Sequence, residues 1–204
     1  MKKRDKAIRA IAAVALLVTA GCATPKIQYY QLGALPVPPQ TAGAGPVLLV
    51  GRIGAAQALQ DSRIRYREGA NAVGAYERHR WTDPPGNMVK QSLIYALRAS
   101  GKFGAVEESG NAAPAEYVVR GTLLEFAEVD GPEGIRTLVS LDLQLRDVKS
   151  GRAVWARVLT RNEPVDAKKV PDVVRSLDHN LHTVIGEAVE DIVAYVGAHP
   201  QVSP

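Results

Sequence analysis

The chain is 204 residues long, 46% hydrophobic and 23% charged, with 25 Lys+Arg against 21 Asp+Glu and a single cysteine. That length holds one domain with a sizeable core. One cysteine excludes an internal disulfide, and the formal charge of +4 raises the question of an anionic partner.

The N-terminus answers that question. Residues 2–9 carry Lys2, Lys3, Arg4, Lys6 and Arg9, and residues 10–20 (AIAAVALLVTA) are apolar apart from Thr19. This run covers only about half of the roughly 20 residues that a helix needs to cross a bilayer, so residues 1–21 read as a cleaved signal peptide. Cys22 follows Ala20 and Gly21, an arrangement that resembles the lipobox of bacterial lipoproteins, with Thr19 standing where an aliphatic residue is usual. The resemblance implies a diacylglycerol thioether on Cys22 and cleavage just before it. Acyl burial contributes about 0.8 kcal/mol per methylene and two chains hold firmly, so a stable membrane tether is expected. The leader holds five of the 25 Lys+Arg and one of the 21 Asp+Glu, which leaves 20 of each and no net formal charge. Nucleic acid is therefore not an expected partner. With Cys22 acylated, no thiol remains for a redox couple or a thiolate metal site.

Beyond the anchor, residues 27–32 (IQYYQL) have strand composition, and residues 33–46 are rich in Pro, Gly and Ala. Residues 22–45 thus read as a lipidated stalk with a short strand and a linker, and residues 46–197 as the domain. Val47–Ile53 is a nearly continuous apolar run that predicts a central strand buried on both faces. Arg63, Arg65 and Arg67 alternate with Ile64 and Tyr66, and Gly69–Asn71 supplies turn chemistry before Val73–Trp81, which predicts a hairpin with one basic face. That face is either a phosphate or headgroup site or a solvated surface balanced by Glu68 and Glu77. Asp83 as N-cap, Pro84 at the first helical position and apolar Val89, Leu93, Ala96 and Leu97 predict an amphipathic helix ended by Gly101.

A short strand is expected over residues 103–106, then strands over 117–129, 135–148 and 153–160 in an antiparallel meander, with the turn at residues 149–151 the tighter of its two. From Pro171 a stripe of Val173, Leu177, Leu181, Val184, Ile185, Ala188, Val189, Ile192 and Val196 predicts a helix of about seven turns. Residues 198–204 read as a flexible tail. The expected fold class is α/β (α+β): a single domain with a mainly antiparallel mixed sheet packed by two principal helices.

Four stretches in this order, Tyr29–Leu32, Arg63–Arg67, Tyr76–Pro85 (YERHRWTDPP) and Leu97–Val106 (LRASGKFGAV), resemble the PqiC-like ABC-type transport auxiliary lipoproteins over most of residues 22–197. The resemblance implies a periplasm-facing lipoprotein of the outer membrane. It implies partners too, an MCE-domain protein and an inner-membrane ABC permease and ATPase that move lipids or other hydrophobic molecules across the envelope. Ala23 after Cys22, where aspartate would mark retention, is similar to the pattern of lipoproteins sent to the outer membrane. Because MCE proteins form rings, a symmetric homo-oligomer is expected. An outer-membrane scaffold in secretion or cell-wall assembly is the alternative.

No enzyme is expected: Gly-x-Ser-x-Gly, the Gly-x4-Gly-Lys-Ser/Thr loop and His-Glu-x-x-His are all missing, and Gly69–Gly74 has Asn71 where a dinucleotide fingerprint needs glycine. Asp178, His179 and His182 are the one cluster with metal-ligand chemistry, but Gly186 occupies the position one turn on, so neither a metal nor a cofactor beyond the acyl anchor is expected. Tyr29 and Tyr30, with Trp81, Pro84 and Pro85, are the expected partner interface, since aromatic anchors dominate interfaces.

Overall fold

The computed structural model describes residues 26–33, 45–69, 71–108, 114–166 and 169–200. The expected signal peptide, Cys22, most of the linker and residues 201–204 lie outside them. The strands are β1 (Gln28–Tyr30), β2 (Val47–Ala55), β3 (Arg63–Glu68), β4 (Ala72–Trp81), β5 (Ala105–Glu108), β6 (Tyr117–Gly131), β7 (Gly134–Asp147) and β8 (Ala153–Pro164). The helices are α1 (Pro85–Ala99) and α2 (Val170–Ala198), and Gln57–Leu59 makes a short 3-10 turn.

All eight strands form one mixed sheet around β6. Fifteen residues at about 3.3 Å each give β6 a length of roughly 50 Å, enough to seat two strands end to end on one side. Tyr117–Leu123 pairs in parallel with β2, and Ala127–Asp130 pairs in parallel with β3. Along its other side β6 runs antiparallel with β7 for its whole length, and β7 runs antiparallel with β8. β2 carries β5 in parallel, β3 carries β4 antiparallel, and β4 carries β1 in parallel. The two longest pairings are antiparallel, so the sheet is mixed and mainly antiparallel by length.

Both helices bury one stripe against this sheet. In α1, Val89, Leu93 and Leu97 are fully buried, and in α2 every apolar residue of the expected stripe is buried. Burying one such side chain is worth about 1.5–3 kcal/mol, which makes these stripes the main cause of the helices' placement. The seam between α2 and β7 also holds a satisfied polar group. Asn180 Nδ2 donates to Thr137 Oγ1 at 2.9 Å, and Thr137 Oγ1 lies 2.6 Å from Ser176 Oγ.

The structure corrects five expectations. β2 is central but covered on one face: Leu48, Val50 and Ile53 are buried, whereas Arg52 is exposed. The α1 N-cap is Pro84, with Pro85 inside the first turn, because the Asp83 carboxylate accepts from Asn87 Nδ2 at 3.2 Å instead of capping the backbone. The other end is as expected, with Gly101 at φ +64°, a left-handed conformation that costs glycine nothing. The tighter turn is the first of the meander, Pro132–Glu133 between paired Gly131 and Gly134. The second is a longer loop held by Asp147 Oδ1, which accepts from the Ser150 amide and hydroxyl at 2.6 and 2.5 Å. The short strand expected in the stalk belongs to the sheet, and Leu32 enters the core. Finally, the expected tail starts as structure: Ala198 is helical, and the His199 carbonyl accepts from Tyr117 Oη at 3.1 Å.

Candidate functional site at the β1–β4 edge

β1 and the end of β4 bring together two of the stretches singled out in the sequence. Their parallel register sets Gln28 opposite His79, Tyr29 opposite Arg80 and Tyr30 opposite Trp81, and the Thr82 amide donates to the Tyr30 carbonyl at 2.7 Å. On its other side β4 meets β3 with a large irregularity. Arg63 lies opposite Arg80 and Arg65 opposite Ala75, so Tyr76–His79 loop out of the ladder across from Ile64. A bulge of this kind bends its strand and re-aims side chains. Here it opens a recess of about 490 Å³ whose walls include Tyr66, Tyr76, His79 and Glu128.

The recess is aromatic and acidic. Tyr66 and Tyr76 approach with ring centroids 5.2 Å apart, Tyr76 meets His79 edge-on at 5.8 Å, and His79 stacks on Tyr30 at 5.7 Å. Tyr30 Oη bonds His79 Nδ1 at 2.8 Å and Gln28 Oε1 at 2.7 Å. Tyr76 Oη donates to Glu128 Oε2 at 2.7 Å. Burial pushes the Glu128 carboxyl above its usual range, which the Tyr76 hydrogen bond opposes and the charge of Asp130 reinforces. Burial, and then the Glu128 hydrogen bond and charge, push the Tyr76 hydroxyl well above the ordinary phenol range. Burial also raises the Tyr30 hydroxyl. Glu68, Glu77, Glu128 and Asp130 line the recess against Arg78 and His79, so it favours a cationic guest.

The expected interface residues divide here. Tyr29 is 61% exposed and Tyr30 is half-buried. Trp81 is not a contact residue: it is 1% exposed and packs on Phe126 with ring centroids 5.1 Å apart, where an indole fills the core below β4. Pro85, the first residue of α1, is buried, while Pro84 at its cap is half-buried. The arginine face is neutralised, and by other acids than the expected Glu68 and Glu77. Arg63 and Arg65 both hold Asp61 Oδ2, at 2.6 and 2.8 Å, and Arg67 holds Glu125 at 3.1 Å. The hydrogen bond from Arg63 lowers the Asp61 carboxyl to about 2, with further help from the Arg65 charge.

Asp178 and His182 form a pair along α2, with Nδ1 3.3 Å from Oδ1. Asp178 Oδ1 also accepts the Gly33 amide at 2.9 Å and so straps the chain after β1 to α2. No group of three His, Cys, Asp or Glu able to hold a metal occurs among the described residues. No helix among them is long and apolar enough to cross a membrane. Sequence reasoning missed His79, Tyr76 and Glu128 as a group. The first two sat inside the Tyr76–Pro85 stretch, but nothing local ties them to Glu128.

The profile of the family described as ABC-type transport auxiliary lipoprotein component matches residues 30–189. The chain belongs to this family. The match to these auxiliary lipoproteins starts at Tyr30, the residue that joins β1 to β4, and runs through most of α2. The family is described as one of transport auxiliaries. No curated protein sequence matches the chain. Among solved structures, protein XCC0632 from Xanthomonas campestris superposes with a TM-score of 0.76 at 20% identity, covering 86% of this chain and 99% of that one. The hypothetical protein CT253 from Chlamydia trachomatis reaches 0.54 at 14% identity, covering 76% and 100%. At these identities the likeness establishes the fold of the auxiliary lipoprotein.

Proposed function

We propose that this auxiliary lipoprotein is a non-enzymatic adaptor, anchored through acylated Cys22 in the outer membrane and facing the periplasm. It docks an MCE-domain protein that works with an inner-membrane ABC permease and ATPase to carry lipids or other hydrophobic molecules across the envelope. One observation carries the reading: the sheet takes up the chain at Gln28, six residues beyond Cys22. At about 3.3–3.6 Å per residue, that holds the β1–β4 edge within roughly 20 Å of the anchored sulfur. An edge so placed, with exposed Tyr29 beside an acidic recess ringed by tyrosines, suits capture of a partner's Lys or Arg side chain by charge and cation–π contact. The reading needs no cofactor beyond the acyl chains. Self-association into a symmetric ring is part of it, supported by the long edge of β8, which pairs only with β7 among the described residues.

The test is affinity purification from cross-linked cells, comparing the native chain with Cys22→Ser and with Tyr29→Ala. The native chain should recover an MCE-domain protein, Cys22→Ser should lose it, and Tyr29→Ala should weaken recovery. Secretion or cell-wall components without any MCE protein would replace the adaptor with an assembly scaffold.

A further inference from the structure

The other half of β6 borders a groove of opposite character. Where β2 runs beside it, Val50 faces Val119 and Ile53 faces Gly121, so Gly51 and Arg52 stand against the single residue Arg120. This second bulge turns two arginines outward together, and both Arg52 and Arg120 are exposed. Gly51 is what lets them share the space. A Cβ there would lie 3.1 Å from Arg120 Cγ and 3.4 Å from its Nε, so the arginine stem crosses directly over the bare glycine.

Two adjoining hollows of about 490 and 640 Å³ open at this point and share Gly51, Arg52, Gly54 and Ala55. One extends to Asn87 and Lys90 on α1, and the other to Arg120 and Thr122 on β6. No aspartate or glutamate lines either hollow. The carboxylates carried by neighbouring elements are turned to other uses: Glu108 holds Lys90, and Asp83 accepts from Asn87. Asp142, opposite Thr122 on β7, does not line the groove. Among the described residues neither Arg52 nor Arg120 has an ion pair or hydrogen-bonded side-chain partner, whereas Arg63, Arg65, Arg67, Arg157, Arg161 and Arg175 all hold carboxylates. The first turn of α1 adds to the positive potential, since it contains no acidic residue.

We propose that this groove binds a phosphate ester, with the Arg52 and Arg120 guanidinium groups on the phosphate oxygens and Asn87 and Thr122 placed for neighbouring polar groups of the ligand. Guanidinium forks match the spacing of phosphate oxygens and bind them in pairs, which exposed lysines do not reproduce. Two sources offer this chemistry, a phospholipid headgroup and free phosphate. Its two arginines lie on β2 and β6 and not on β1 or β4, so the adaptor reading holds or fails without it.

The test titrates the full acylated chain, in neutral detergent, with short-chain soluble phosphatidylglycerol and separately with inorganic phosphate, following the phosphorus-31 resonance. Saturable binding that Arg52→Gln with Arg120→Gln weakens by about tenfold or more supports the site, since two charge-assisted contacts are lost. Tighter binding of phosphatidylglycerol than of inorganic phosphate assigns the ligand to a lipid headgroup, and equal binding assigns it to free phosphate. Should the double variant not fold, Arg52→Gln alone reads the same loss at smaller size. No saturable binding of either probe, or binding that the arginine variants keep, overturns the proposal. Recovery of protein partners by the double variant should be unchanged, which separates this site from the docking edge.

Discussion

Glu128 is the residue on which the recess turns, because a carboxylate that is 7% exposed has one phenol to hold it. Its folded-state pKa lies above the unfolded one, so its ionisation opposes folding: the cost is absent below the ordinary glutamate range and grows as pH rises through the folded value. Glu128→Gln keeps an acceptor for Tyr76 and removes the charge. The variant should match the native chain in denaturant unfolding at about pH 4 and exceed its stability at about pH 8. A gap of equal size at both pH values would mean that charge is not the issue. Asp61 has the opposite sign. Its lowered pKa contributes stability above the ordinary aspartate range, and this is lost as pH falls towards about 2. At this scale the sequence was a partial guide. The tyrosines and arginines were readable as residues of interest. Their partners were not, because Glu128 lies 52 positions from Tyr76 and Glu125 lies 58 from Arg67. Trp81 shows the same limit, since an aromatic in a motif fits a core as well as an interface.

At the scale of elements, the helices and the mainly antiparallel, mixed character of the sheet were legible, and the strand order was not. The α2 stripe repeats every three or four residues, and the structure buries each of its apolar positions. The hairpins β3–β4 and β6–β7 were readable from Gly-containing turns. The seating of β2 and β3 end to end along β6 was not, because both pairings are parallel and non-local. A break in register between Leu123 and Glu125 also interrupts the alternation that would have marked the faces of β6. The short strand β1 was expected, but its place in the sheet was not, as three residues of strand say little about a partner until β4 is beside them. The strap from Gly33 to Asp178 now explains part of its hold. Asp178→Ala should lower stability by only about 1 kcal/mol, the scale of one partly exposed hydrogen bond to a charged group. Amide exchange at Thr82, whose N–H bonds Tyr30, should nonetheless quicken markedly. Unchanged exchange there would show that β1 stays paired without the strap.

For the whole molecule, the question is whether the halves on either end of β6 fold as one. They share a single buried cluster that includes Trp81 and Phe126 at one end and Leu48, Leu93 and Leu97 at the other. One transition is therefore expected. The two tryptophans report it independently, Trp81 at the end of β4 and Trp155 on β8. Trp81→Phe and Trp155→Phe each leave one reporter, and the remaining fluorescence in each should change over the same denaturant range. Two separated midpoints would divide the domain at β6. The attachment of β1 bears on how such a domain tolerates its tether. Under the anchorage proposed at Cys22, a tug along β1 from its head loads its bonds to β4 side by side, in shear, rather than opening them one after another like a zip. Thermal jostling of the membrane is thus shared among the parallel bonds between Gln28–Tyr30 and His79–Trp81, and beyond them by the Gly33 strap, before it reaches the core.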